Sequence, residues 1–478
     1  MIHPLVFMFK LLNKGPRAGI FGFFLLCLFL AGCAVGPDYH RPEIKSPPAF
    51  RGEESSLTNS FADLPWWEVF HDSTLQSLIR TALTNNYDLR IAVSRVEQAR
   101  AIADQARGQF FPQLNYAGLA GKGKNVGAGN APSPTGVTGG FIAADVNASW
   151  EPDLWGRIRR LNESARAQWY ASDEARRDVM TSVIAQIAQD YFQLLALEEE
   201  MEIAQQSTNS FGDSLKIFTQ RLQGGVASRL ETSSAEALMH SAASTIYSLN
   251  RQILLLEDQI SVLLGQNPGP ILRAKASLES QIPPEVPAGL PSVLLERRPD
   301  IREAEQQLRS ANAQVGVAKA DFFPQLNLTA LLGQVSPELS AFTSGGATAW
   351  GVAAGLTGPL FHGGQIRGQY RQAKAAREEA ALRYHAAVLR ALQEVSDALI
   401  SRTTLAGERA EQTASVEAYR VAVDMVMKRY QSGNASYYEV LLEQQQLFPA
   451  ETSLVQTRLN QLIAVVQLYR ALGGGWKN

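Results

Sequence analysis

Two residue patterns in this 478-residue sequence have the spacing of known chemical sites, and neither holds up as a site. Gly118 to Lys124 fits the phosphate-loop pattern Gly-x-x-x-x-Gly-Lys, but Asn125 replaces the magnesium-binding Ser or Thr and no helix follows. We interpret that segment as a surface loop. The histidines include no His-x-x-x-His pair typical of zinc and are scattered at His40, His71, His240, His362 and His385. We therefore expect no catalytic residue, no metal and no cofactor.

Two acidic residues near the C-terminus have a spacing that could select ions. Glu439 and Glu443 are spaced i, i+4 and so share a helix face. Such a pair could form a cation-selective constriction. The alternative is that both carboxylates only solvate the outside of a helix.

Two glycine-containing breaks, Arg221 to Glu231 and Arg429 to Glu439, are candidate docking surfaces. Glycine lets the backbone turn tightly, and arginine offers forked donors to carbonyls or carboxylates of a partner. Ordinary helix capping explains the same residues, and both interpretations stay open. The candidate docking residues are Arg221, Gly225, Arg229 and Gly433.

The N-terminus reads as a secretory signal. Lys10, Lys14 and Arg17 precede an apolar run that ends in Leu-Ala-Gly-Cys, a quartet similar to a bacterial lipobox. We expect residues 1–32 to be removed and Cys33 to receive an N-acyl and an S-diacylglycerol lipid; an ordinary signal peptide is the alternative. Ala34 is not the aspartate of inner-membrane retention, which favours the outer membrane. Residues 33–72 would form a lipid-anchored extended segment, since prolines interrupt helices there.

The longest element must be a helix from Arg157 to Arg221. It contains no proline, and its apolar residues recur at helical spacing. At about 1.5 Å per residue it would span on the order of 100 Å, too long to fold over a globular core. Its many charges exclude it from lipid. We expect it to pack lengthwise against other long helices in water, beginning with a return helix from Arg229 to Leu264.

The chain contains an internal duplication. Phe110 to Asn115 recurs identically as Phe322 to Asn327, and the first break recurs in kind at Arg429 to Ser436. We divide the mature chain into a first copy at 73–266, a proline-rich linker at 267–299 and a second copy at 300–478. The second copy should repeat the helical hairpin, with its tip at 429–439.

Each copy also contains two stretches of strand character. Residues 142–150 alternate between apolar and polar or small side chains, as do residues 350–360, and residues 114–119 and 326–332 can pair with them. The hairpins would cover about 112–152 and 324–360. A β-sandwich is the alternative, but the sequence offers no further strands for a second layer. Four membrane strands cannot close a barrel, so at least two chains must share one.

These features together resemble the outer membrane factor family of TolC/OprM-like efflux channels, in its lipoprotein branch. The resemblance rests on residues 33–39 and 66–70, both Phe-Phe-Pro-Gln-Leu-Asn hexamers, and residues 150–156, 358–361 and 436–441. It implies an α+β, mainly α chain that forms a homotrimer. Long helical hairpins would build a trimeric α-barrel tunnel, and four transmembrane strands per chain would build a shared twelve-stranded β-barrel in the outer membrane of a Gram-negative bacterium.

The resemblance also implies a passive exit channel of a tripartite efflux system. A periplasmic adaptor and an inner-membrane resistance-nodulation-division pump would open it, and its gate would include Arg429, Tyr430, Tyr438, Glu439 and Glu443. Leu442 stands where the family usually has an acidic residue. Type I protein secretion and a periplasmic lipoprotein enzyme are the alternatives. The balance of 44 basic against 46 acidic residues argues against nucleic acid.

Overall fold

The computed structural model describes residues 34–45, 47–52, 69, 72–124, 138–272, 278, 281, 294–337, 339–343 and 345–474. Cys33, the signal segment and most of the 267–299 linker lie outside these residues, as does most of 66–70. The chain forms two compact units, and each combines segments of both sequence copies. Unit 1 contains residues 97–171 and 304–384 with the N-terminal segment up to Pro42, and unit 2 contains residues 43–96, 172–303 and 385–478.

The described part of the chain is mainly helical, with one sheet. The helices are α1 (Ser73–Asn85), α2 (Tyr87–Gly108), α3 (Arg157–Gln223), α4 (Arg229–Leu263), α5 (Leu294–Arg297), α6 (Pro299–Ala320), α7 (Gln365–Gln431) and α8 (Tyr437–Ala471). The strands are β1 (Gln113–Lys124), β2 (Thr138–Trp150), β3 (Gln325–Ser336) and β4 (Thr348–Thr357). The two long helices have 67 residues each, and their return helices have 35 each. Equal lengths are what a duplication predicts.

The two long helical hairpins are confirmed, with ends close to those predicted. The Asp153 carboxylate fixes the start of α3 because it accepts hydrogen bonds from the backbone N–H groups of Ile158 (3.1 Å) and Arg159 (2.9 Å). At the far end, Gly225 has φ 72°, and the Val226 N–H donates to the Arg221 carbonyl at 3.0 Å. That bond closes a Schellman turn, which ends α3 where the sequence predicts the tip.

The helical stretch before β1 is divided into two helices, α1 and α2. Asn86 ends α1 and caps α2: its side-chain amide donates to the Leu263 carbonyl at 2.9 Å, and its Oδ1 accepts from the Leu89 N–H at 3.0 Å. The side chain is 3% exposed. A buried asparagine that bonds a distant carbonyl leaves no local periodicity signal.

The core of unit 2 contains the apolar stripe that predicted α3. Residues Met180, Val183, Ile184, Ile187, Tyr191, Leu194 and Leu195 are all buried. They belong to one cluster that also includes α1 and α8 residues such as Ile79 and Val466. Among the described residues, no helix has the length and apolar character needed to cross a membrane.

The four strands form one antiparallel sheet in the order β1-β2-β3-β4. The predicted strand count is confirmed. Three strands are longer than predicted, whereas β4 ends at Thr357 rather than at residue 360. Gly118 to Lys124 lies within β1, so the interpretation of that segment as a loop is wrong. Gly121 pairs with Phe141, whose ring lies directly over the position where a Cβ would stand. This aromatic cover explains how glycine-rich sequence is held in a strand.

Candidate functional site

The register of the sheet aligns exposed apolar side chains from all four strands on one face. Tyr116 pairs with Val146, Val146 with Leu332, and Leu332 with Trp350, which gives one continuous row across the sheet. These side chains are 89%, 52%, 63% and 75% exposed, respectively. An exposed apolar face of this extent is typical of a surface covered by lipid or by protein.

The opposite face of the sheet carries mostly polar or small residues, and its large apolar residues are Leu119, Phe141, Leu331 and Val335. The neighbouring row joins Asn115, Asn147, Leu331 and Gly351. The Asn147 side-chain amide donates to the Asp145 carboxylate at 3.2 Å on the same face. Since a shift of one residue would exchange the two faces, the observed register is the one that separates apolar from polar side chains.

Both edges of this sheet are open within the described residues. β1 pairs only with β2, and β4 pairs only with β3. Each edge strand therefore presents a row of unpaired backbone N–H and C=O groups. Such edges can pair with a further strand.

The second tip brings together three of the five residues predicted for the gate. The Arg429 guanidinium donates to the Asn434 carbonyl at 3.0 Å and lies 3.9 Å from the Glu439 carboxylate. Glu439 accepts from the Ser436 N–H (2.9 Å) and hydroxyl (3.0 Å), which completes a capping box at the start of α8. The Ser436 backbone N–H and hydroxyl, with Arg429, lower the pKa of Glu439. Tyr438 is exposed, 64%, on the same turn.

Tyr430 occupies a different environment from the other predicted gate residues. It is 3% exposed, in a cluster with Phe218, Ala235, Val440 and Leu441. Among the described residues, its buried hydroxyl has no hydrogen-bond partner. Tyr430 thus forms part of the packed base of the tip, whereas Glu443, one turn after Glu439, is half-buried.

A contact that the sequence patterns did not predict joins the two tips. The Arg221 guanidinium lies 4.4 Å from the centre of the Tyr430 ring, and it donates to the Tyr430 carbonyl at 3.5 Å. Phe218 packs edge-on against both Tyr430 (5.2 Å) and Tyr437 (6.2 Å). Arg221 was predicted to dock a partner, and here its charge is directed to the second hairpin. Phe218, three positions before Arg221, was the sequence feature that could have indicated this aromatic contact.

The other predicted docking residues are accessible: Gly225 and Arg229 at the first tip and Gly433 at the second. Gly225 and Gly433 both have open space around the position of an added Cβ and positive φ, 72° and 80°. Arg229 begins α4, and Val226 and Leu230 beside it are 74% and 64% exposed. The Ser228 N–H donates to Glu231 at 3.2 Å, so capping operates at this tip too.

In unit 1 the N-terminal segment is bound by charges that the sequence argument missed. Glu305, 2% exposed, accepts from the Tyr39 hydroxyl at 3.2 Å and pairs with Arg41 and with Arg309 at 3.0 Å. Asp38 pairs with the buried Arg160 at 2.7 Å. Burial would raise the pKa of Glu305, but the Arg41 and Arg309 guanidinium groups hold it below its usual value.

A family model described as outer membrane efflux protein matches residues 78–266 and 290–474. The chain belongs to the outer membrane efflux protein family. It is 32% identical over 453 residues to a probable efflux pump outer membrane protein, TtgC of Pseudomonas putida, covering 94% of this chain and 93% of that protein. It is 30% identical over 461 residues to the cation efflux system protein CusC of Escherichia coli, covering 95% and 98%.

The solved structure of the outer-membrane channel OprN superposes with a TM-score of 0.86 at 30% identity, covering 93% of this chain and 100% of that one. Membership of the efflux protein family confirms the resemblance that the sequence motifs indicated. The chain is an outer-membrane channel of an efflux system, with the α+β, mainly α fold of such channels. It is located in the outer membrane of a Gram-negative bacterium and extends into the periplasm. The roles of the individual tip and gate residues stay predictions.

Proposed function

We propose that this protein is the exit duct of a tripartite efflux system and works as a homotrimer. In this proposal the sheets of three chains join edge to edge into one twelve-stranded barrel, and their helical hairpins form one water-filled tunnel. The observation that supports it best is the row from Tyr116 to Trp350: one apolar face across a sheet whose two edges are open within the described residues. Partner strands of other copies would satisfy both edges.

The duct would be passive, and a periplasmic adaptor and an inner-membrane pump of the resistance-nodulation-division class would open it and supply energy. The tips at 221–231 and 429–439 offer positive-φ glycines and exposed apolar side chains for the adaptor. A lipid on Cys33 would add a membrane anchor next to Ala34. We propose no catalytic activity and no cofactor, since a conduit needs neither.

The names of the relatives indicate two classes of cargo, organic solvents and cations. One relative of Pseudomonas putida is named a toluene efflux pump protein, and CusC is named for cation efflux. Glu439 and Glu443 at the second tip would favour passage of cationic cargo, while the apolar Leu442 between them, 37% exposed, suits amphiphilic organic molecules. We propose amphiphilic organic cations as the class compatible with both features.

The proposal is tested with the purified, lipidated mature protein. Native mass spectrometry should give three times the chain mass, and planar bilayers should show discrete conductance steps. A strain that lacks the gene should become more susceptible to cationic dyes, and the wild-type gene should restore resistance. A protein that remains a single chain in detergent and conducts no ions would contradict the proposal.

A further inference from the structure

Two lysines extend the apolar face of β1 at its loop end. Pairing between β1 and β2 is uninterrupted from Gln113 opposite Ser149 to Lys124 opposite Thr138, so no bulge changes the alternation of side chains. Lys122 and Lys124 therefore lie on the same face as Leu114 and Tyr116. Both lysines are exposed.

No negative charge of the described strands offsets these lysines. Asp145 is the only acidic residue in the four strands, and it lies on the opposite face. Opposite Lys122 stands Gly140, and the loop end of β3 contributes Gln334 and Ser336. Neither lysine forms a hydrogen bond or an ion pair with a residue that the structure describes. The pair is thus a concentrated positive charge at the margin of an apolar surface.

The spacing along β1 places the lysines at the depth of lipid headgroups. Leu114 and Lys122 are eight residues apart (122−114), which at about 3.4 Å per residue is roughly 27 Å along the strand. With a strand tilt of about 40°, this corresponds to roughly 20 Å of membrane depth, close to the ~25 Å apolar band of an outer-membrane strand. The helices α2 and α3 adjoin the other end of this hairpin, so the lysine end faces the outer leaflet.

We propose that Lys122 and Lys124 bind the phosphate groups of an outer-leaflet glycolipid. Lysine suits this role because its apolar stem lies along the membrane surface while its ammonium group reaches the headgroup region. In this proposal the Gly-Lys-Gly-Lys sequence binds phosphate through two lysine side chains on a strand, not through the backbone of a phosphate loop.

The test uses the delipidated, full-length protein in detergent and lipid A that retains both phosphates. Native mass spectrometry counts bound lipid, with phosphatase-treated lipid A as the comparison ligand. Each basic residue near an anionic surface strengthens binding about fivefold. The double variant Lys122→Gln/Lys124→Gln should therefore bind phosphorylated lipid A roughly 25-fold more weakly than the wild type. The control Lys319→Gln/Lys374→Gln removes the same charge from helices α6 and α7 of unit 1 and should bind as the wild type does.

Two results would overturn the inference. One is equal retention of phosphorylated and dephosphorylated lipid A by the wild type, and this result does not depend on any variant. The other is unchanged binding by the Lys122→Gln/Lys124→Gln variant, which would leave the lysines as protection of an edge strand. The inference depends on the sheet facing lipid, as in the proposed function. The same mass spectrum reports the number of chains, so failure of the trimer is distinguished from failure of lipid binding.

Discussion

At the residue scale, the structure gives Glu439 a capping role that coexists with the role predicted at the gate. Its carboxylate bonds Ser436 in the capping box, and this bonding together with Arg429 lowers its pKa. A lowered pKa keeps the carboxylate ionised at neutral and mildly acidic pH. The residue can therefore start α8 and still attract cations.

Neutralising both carboxylates with Glu439→Gln/Glu443→Gln should lower the cation-to-anion permeability ratio in planar bilayers. Ser436→Ala is the matched control, because it opens the capping box but retains both charges. In the wild type the preference should persist as the pH falls to 5, since the pKa of Glu439 lies below the usual value for glutamate of about 4.3. An unchanged permeability ratio in the double variant would remove these residues from the gate.

Gly433 permits a second prediction at the residue scale. Its φ of 80° strains most residues with a Cβ, asparagine and aspartate excepted, by about 1–2 kcal/mol, although the space around it is open. Gly433→Leu should abolish efflux, measured as dye susceptibility, and leave trimer assembly intact on native gels. Gly433→Asn distinguishes backbone strain from the bulk of the added side chain, since asparagine tolerates this backbone conformation but still adds a side chain. Loss of the trimer would make the glycine purely structural.

At the element scale, the register assigns opposite environments to two adjacent leucines of β3. Leu332 lies in the row with Val146 and Trp350, and Leu331 lies in the row with Asn147 and Gly351. Leu332→Lys would place a charge against lipid at a cost of about 2–4 kcal/mol near the middle of the membrane. We expect it to reduce the amount of folded trimer in the outer membrane fraction, while Leu331→Lys is tolerated. Equal yields of the two variants would contradict the assignment of the faces.

At the scale of the whole molecule, unit 2 contains buried carboxylates that make its resistance to thermal unfolding depend on pH. Burial raises the pKa of Glu174, Asp190 and Glu200, although Asp190 accepts hydrogen bonds from Gln186 and Gln259. A raised folded-state pKa contributes stability that is full below the unfolded pKa and is lost as pH rises through the folded pKa. The midpoint of thermal unfolding should thus be higher at pH 5 than at pH 7.5.

Asp190→Asn tests the source of this pH dependence. The amide keeps an acceptor oxygen for one glutamine and cannot ionise, so the difference between the two midpoints should shrink. Glu379→Gln, which alters an exposed i, i+4 pair with Arg383, should leave the difference unchanged. A midpoint that rises from pH 5 to pH 7.5 in the wild type would show that other groups dominate.

The sequence alone determined the two long helical hairpins, their tips and the presence of four strands, because helical and strand periodicities and glycine turns are local properties. Its motifs also identified the family. Only the tertiary structure decided which strand faces align, how Arg221 reaches the Tyr430 ring, and how Glu305 holds Tyr39 and Arg41. These contacts join residues far apart in the chain, where no short spacing predicts them. The break at Asn86 and the full length of β1 were also not predictable locally, since a hydrogen bond to the distant Leu263 carbonyl and the ring of Phe141 determine them.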